Sequence, residues 1–304
     1  MTSSSRTAVA SRTGVVVGLA ATVLGTALVW LTWRLFVTTE LGQRLDQAAL
    51  EGARYGRTRL WQVAEPLLEV VSVPALGLVL VATTAIAVLR RRWSLAVQIA
   101  VLVVGANLTT QVLKHLVLDR PDLGVTHRLP NALPSGHTTA AASVAAAAVL
   151  VVPPRARPWV ALVGGGYATL TGVSTLVGQW HRPSDVIAGL LVVLVWGGIT
   201  TVLAALGRRS PERERPAGRP GPRLDPVGRA VVTAGYLVAL VTGAVAASAV
   251  ATTRSAQSLG RTELLTAYAG GAFGVLATAC AVFSSLVLMR ALARPRPVLP
   301  AASA

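Results

Sequence analysis

Four histidines and Lys114, the one lysine among 28 basic residues, stand out in a chain that is otherwise apolar or arginine-rich. They gather in three polar islands: "LKHLVLDRPD" at 113–122, "LPSGHTT" at 133–139 and "GVSTLVGQWHRPSDVIAG" at 172–189. His115, His137 and His181 lie inside the islands, and His127 lies in the stretch that joins the first two. In the second island Ser135 or Gly136 can cap a helix, leaving backbone N–H groups aimed outward as an anion site that the helix dipole reinforces. Gly136 lets a ligand approach the backbone closely, and His137 stands in the first turn as an acid or base beside the anion. In the third island Pro183 suits a first helical turn. Asp185 follows His181 by four residues and can turn back onto one imidazole nitrogen, which fixes the tautomer and makes the other nitrogen a better nucleophile.

Each island alone has a plainer reading. Pro-Ser-Gly-His can be only a cap, and Asp185 can serve only the helix dipole. His181 can stack on Trp180 at an interface, and Lys114 can snorkel from a helix end. Their convergence on one side of the molecule favours chemistry. A chain that writes its charge in arginine and keeps a lysine here points to a need for a compact ammonium.

The elements that must position these residues follow from composition. The chain has 304 residues, 53% hydrophobic and 13% charged, with a mean hydropathy of +0.61. A soluble domain carries nearer a quarter charged residues. Apolar residues come in eight runs, roughly 14–36, 71–89, 93–113, 137–153, 159–177, 185–207, 230–252 and 266–289. About 20 apolar residues are enough for a helix to cross a bilayer, and no alternating pattern of barrel strands appears. The expected fold is therefore all-α, a polytopic transmembrane helical bundle. The first run is too long for a signal peptide and "LVWLTWRLF" offers no cleavage site, so it reads as a retained helix. Cys280 is the sole cysteine, which excludes an internal disulfide or thiolate metal site. The "NLT" at 107–109 lies within a membrane run and is not read as a glycosylation site.

A formal charge of +16 suggests nucleic acid until its distribution is considered. Arg6, Arg12, Arg90 to Arg92, Arg155, Arg157, Arg208, Arg209, Arg213, Arg215, Arg219, Arg223, Arg229, Arg290, Arg294 and Arg296 fall on alternate segments between the runs. This is the positive-inside pattern. It predicts a multi-pass plasma-membrane (bacterial inner-membrane) protein with both termini cytoplasmic and all three islands facing the other side. No nucleic-acid partner is expected. The proline-rich basic stretch 208–228 reads as a cytoplasmic linker. It divides a six-helix unit, 1–207, from a C-terminal hairpin and tail, 229–304. Within the first unit, 37–70 reads as an outer amphipathic helix, with Leu41, Leu45, Ala48 and Ala49 on one face, followed by a loop.

At this point the residues resemble a known family, the type 2 phosphatidic acid phosphatases (the PAP2 or lipid phosphate phosphatase superfamily). Lys114 with Arg120-Pro121 resembles its first signature, Pro134 to His137 match the second letter for letter, and Ser174, His181 and Asp185 fit the third. The resemblance covers about residues 10–207 and implies a six-helix PAP2-like core, with the C-terminal two-helix hairpin outside it. It implies metal-independent, cofactor-free hydrolysis of a lipid phosphomonoester or diphosphate. His181 would form a phosphohistidine, Asp185 would orient it, and His137 would act as acid and then base. Lys114, Arg120, Ser135, Gly136 and Ser174 would hold the phosphoryl oxygens. Candidate substrates are polyprenyl phosphates or diphosphates, phosphatidic acid and phosphatidylglycerol phosphate.

Two departures stand against the pattern. Five residues separate Lys114 from Arg120, one fewer than the family's usual spacing; Pro121 favours extended chain at Arg120, which can absorb the change. The family's arginine after the third-signature serine is Thr175 here, which removes a guanidinium able to grip phosphate with two bonds. Arg182 and Arg128, both in the outer loops, are the candidates to replace it. A catalytically impaired relative that binds anionic lipid headgroups or scaffolds an envelope complex is the competing expectation, and a transporter is a third. The runs carry no charged residue at mid-membrane depth to favour the transporter.

Overall fold

The computed structural model describes residues 12–57, 93–125, 131–206 and 224–293, with isolated helical positions between 62 and 89. The expected second run, the linker from 208 to 223, His127 and Arg128 lie outside the described residues, apart from those isolated helical positions within the run. Among the described residues the chain forms eight α-helices and no strand. They are α1 (Arg12–Phe36), α2 (Glu40–Gly52), α3 (Trp93–Val112), α4 (Gly136–Val151), α5 (Arg157–Val177), α6 (Pro183–Leu206), α7 (Pro226–Ser255) and α8 (Arg261–Leu292). A π-helical turn, Leu113–Val117, prolongs α3.

Six of these helices, α1, α3, α5, α6, α7 and α8, are long and apolar enough to cross a membrane. The all-α polytopic bundle is therefore the observed fold, and the protein is a multi-pass membrane protein. The seventh apolar helix, α4, has only 16 residues. At 1.5 Å per residue it is about 24 Å long, short of the roughly 30 Å of hydrocarbon. A helix end at that depth is tolerated where protein surrounds it, and α4 is buried from Thr138 through Ala142 and again near Val149.

The core is built around α6, whose Val186, Leu190, Val192 and Val193 are almost fully covered. Small residues bring the helices together, as they do where lipid offers no hydrophobic drive for association. Gly14, Gly18 and Gly25 of α1 lie against Ala205, Val202 and Val195 of α6, and an alanine-rich α4 fits among α3, α5 and α6.

The C-terminal hairpin is not an appendage to this core. Val275, Val282, Phe283 and Leu286 of α8 share one cluster with Ile99 and Leu102 of α3 and Leu190 of α6. Arg290 donates to Gln98 Oε1 of α3 at 2.8 Å. The outer helix of the pair, α7, packs mainly on α8 and leaves Leu237, Leu240 and Val241 exposed.

The segment expected as an outer amphipathic helix is α2, capped by Thr39, whose hydroxyl accepts from Gly42 N at 3.0 Å. Its apolar stripe is only partly buried: Ala48 and Ala49 lie against Ala267 of α8, while Leu41 is exposed. Gln43 and Asp46 are buried as well, at 1% and 3% exposure. The reason is the neighbourhood of α2, which rests on the polar loops closing one end of the bundle.

Candidate active site

The three polar islands meet at that end. In the second, Ser135 has extended backbone (φ −67°, ψ 119°) and caps α4, its Oγ accepting from Thr138 N. Thr138 Oγ1 also bonds Ser135 Oγ at 3.0 Å. Ser135 N–H donates to the Asp185 carbonyl at 2.8 Å, which joins the second island to the third. Gly189 permits this approach, since a Cβ there would stand 2.9 Å from the Ser135 carbonyl oxygen and 3.0 Å from Thr139 Oγ1.

The third island turns sharply after α5. Trp180 N and His181 N both donate to the Thr175 carbonyl, at 3.0 and 3.3 Å. Gln179 sits at φ 63°, an uncommon conformation for a residue with a Cβ. Its side chain is held by the carbonyls of Leu50 in α2 and Leu176, at 2.6 and 3.1 Å. Pro183 then opens α6, as its fixed φ and missing N–H favour.

The turn delivers His181 Nδ1 to 3.3 Å from Asp185 Oδ2, and the same oxygen accepts from Arg182 N at 2.9 Å. Asp185 is 1% exposed and His181 8%. Nδ1 is thus engaged by a carboxylate, and Nε2 has no hydrogen bond among the described residues. The His137 ring lies 6.3 Å from the His181 ring, nearly edge-on, and 5.4 Å from Trp180. At that separation both imidazoles can reach one small bound group.

The first island arrives on the π-helical turn that carries Lys114, within electrostatic reach of Asp185 and His137. Asn131 binds this strand of loop to the second island, donating to the carbonyls of Leu118 and Leu133 at 2.7 and 3.2 Å. Beyond the π-helical turn the chain is no longer helical: Leu118 is extended, and residues 118–123 follow without helix. Arg120 follows with a buried Nη2 that has no hydrogen-bond partner among the described residues. Such an unspent donor calls for an explanation, and an oxyanion supplies one. Burial first, then the like charge of Arg182, lowers the pKa of Arg120, while Asp46 and Asp185 oppose the shift.

Thr175 does not stand in for an arginine. It is fully buried and its hydroxyl donates to the Gly172 carbonyl of its own helix at 2.7 Å. Ser174 is nearly buried one residue before it. Arg182 is 2% exposed, close enough to Arg120 for their charges to interact. Its Nε and Nη2 both donate to Gln47 Oε1 at 3.3 Å.

Asp46 and Gln47 were not among the residues expected from sequence. Ser184 N donates to Asp46 Oδ1 at 3.1 Å, and Ser184 Oγ donates to Oδ2. Burial above all, and then the charge of Asp185, push the Asp46 pKa up to about 7. Gln43 Nε2 donates to the carbonyls of Val37 and Pro121, at 2.8 and 2.9 Å. The one signal available was that 43, 46 and 47 share a helix edge; beside an apolar stripe such an edge ordinarily faces water.

The family model of the PAP2 superfamily matches the stretch from residue 93 to residue 209. That stretch contains all three islands and α3 to α6; α1, α2, α7 and α8 lie outside it. Neither the curated proteins nor the solved structures returned a match.

Proposed function

We propose that this membrane protein, PAP2-like over residues 93–209, is a metal-independent lipid phosphatase. The observation that carries the reading is His181, held by Asp185 on one side, with the His137 ring 6.3 Å from its own, centroid to centroid. His181 Nε2 attacks phosphorus while His137 gives its proton to the departing alkoxide or phosphate oxygen. A phosphohistidine results, together with the lipid alcohol from a monoester or the lipid monophosphate from a diphosphate. His137, now neutral, takes a proton from water, the hydroxide attacks phosphorus, and the P–N bond breaks to release phosphate and restore His181.

Little covalent work is asked of the remaining groups, because phosphoryl transfer depends chiefly on positioning and charge neutralisation. Lys114, Arg120 with its Nη2 unpartnered among the described residues, and the first N–H groups of α4 from Gly136 onward form the cradle. Ser135 accepts bonds at its lone pairs and keeps its own O–H to donate, and Ser174 completes the set. Arg182 supplies the cationic charge that Thr175 lacks. The arginine distribution supports a cradle on the extracytoplasmic side of a bacterial inner membrane, with both termini inside. On this reading 1–207 is the phosphatase unit, 208–228 the cytoplasmic linker and 229–304 the hairpin and tail. Candidate substrates are polyprenyl phosphates or diphosphates, phosphatidic acid and phosphatidylglycerol phosphate.

One observation favours a second reading. The Thr175 side chain is spent on its own helix, which fits an impaired relative that only binds anionic headgroups. Phosphate release by purified protein in detergent with EDTA, across that lipid panel, separates the two. Turnover is expected in the wild type, lost in His181→Ala and reduced in Arg182→Ala. No release from folded wild-type protein would leave the headgroup binder.

A further inference from the structure

One edge of α2 touches two of the three polar islands although it lies outside the region matched to the family. Gln43 reaches the Pro121 carbonyl beside Arg120. Asp46 takes both donors of Ser184, and Gln47 takes two donors of Arg182. These positions are i, i+3 and i+4, so they share one face of the helix. One turn on, the Leu50 carbonyl accepts from Gln179 in the turn before His181.

A helix that served only to cover the bundle end would bury its apolar stripe here. Burying a carboxylate costs free energy unless its partners repay the lost water. Asp46 is nonetheless 3% exposed, facing Ser184 and Asp185 of α6, Arg182 just before it and Arg120 of the first island. Arg182 and Ser184 flank Pro183, inside the short span from His181 to Asp185. Whatever holds those two residues sets the angle between imidazole and carboxylate.

We propose that Asp46 and Gln47 of α2 are positioning residues, gripping Ser184 and Arg182 so that the His181–Asp185 pair is aimed at the bound phosphoryl group. Asp46 acts as a cap supplied from another helix: Pro183 has no N–H, so the Ser184 N–H is the first donor of α6, and Asp46 satisfies it. Gln47 draws Arg182 across the same span from the other side of the proline. Neither side chain touches the substrate.

The inference rests on the phosphatase reading, and its test separates the two. Asp46→Ala, Asp46→Asn, Gln47→Leu and His181→Ala are compared with wild type in turnover, in orthovanadate affinity and in cooperative thermal unfolding. Orthovanadate takes a fifth ligand only from a nucleophile already aimed at it, so it reports alignment without requiring turnover. A misaimed nucleophile costs on the order of tenfold to a hundredfold. Asp46→Ala should therefore lower kcat and vanadate affinity by about tenfold or more without raising KM. Asp46→Asn keeps one acceptor and should fall between Ala and wild type. If Asp46→Ala fails to fold, Asp46→Asn and Gln47→Leu carry the comparison. Wild-type kcat and vanadate affinity in the folded variants would overturn the positioning role, as would a wild type that binds no vanadate. Vanadate binding that depends on Asp46, in a protein that hydrolyses nothing, would overturn the phosphatase reading and leave the positioning role standing.

Discussion

At the scale of single residues, two carboxylates at the start of α6 do different work because their partners differ. Asp185 turns back to His181 and the Arg182 N–H. Asp46 comes from α2, and burial together with the charge of Asp185 raises it to about 7. That shift has a consequence for stability. Between the ordinary carboxylate value of 3.8 and about 7, folded Asp46 holds a proton that the unfolded chain has released. Unfolding in that window therefore releases a proton, and raising the pH favours it. The wild type should lose stability relative to Asp46→Asn by about 1 kcal/mol or less per pH unit from pH 4 to 7. The difference should level off above that. Thermal unfolding of both proteins in detergent across this range checks it, and a pH-independent difference would contradict the raised value.

At the scale of elements, the site depends on how closely three helices approach. Gly172 lets α5 meet Val186 of α6, where a Cβ would stand 2.4 Å from the valine methyl. Gly189 lets α6 lie on the cap of α4, where the atom in the way is a backbone oxygen that has little room to move. Gly189→Ala should thus push α4 from α6 and strain the Ser135–Asp185 bond, at an overpacking cost of about 1–3 kcal/mol. A lower Tm accompanied by reduced turnover is the expected result. Gly166→Ala makes the control, because a Cβ there meets nothing within 4 Å. Equal Tm values for the two variants would mean that α4 and α6 have slack at the site.

At the scale of the whole molecule, α8 belongs to the core and α7 is its lipid-facing cover. Phe283 lies on Gly165 of α5, where an added Cβ would come within 3.1 Å of its ring, and Leu286 and Met289 lie against Gly197 of α6. On its outer-end side α8 supports α2 through Ala267 and Leu264. Removing residues 224–304 would strip this contact surface from α5, α6 and α2 together. In a bilayer, close packing is the main source of helix association, so the loss cannot be replaced by lipid of the same shape. The truncated chain should elute as aggregate on size-exclusion chromatography in detergent where the full chain is monodisperse. A monodisperse, active 1–223 fragment would show that the six-helix unit stands alone.

Sequence alone was enough for the bundle, because apolar runs of membrane length admit little besides helices that satisfy their own backbone. It was also enough for the islands, since Pro134 to His137 and the His181–Asp185 spacing carry their chemistry in neighbouring positions. A four-residue spacing needs only a helical turn to become a contact. Two things were decided by tertiary structure alone: the burial of Gln43 and Asp46, and the entry of α8 into the core. Each joins residues that are distant in the chain, or chooses between faces of one helix. A polar edge such as 43, 46 and 47 reads the same whether water or a loop lies beyond it. Only the loops folded over α2 determine which, and with it which carboxylate titrates near neutrality.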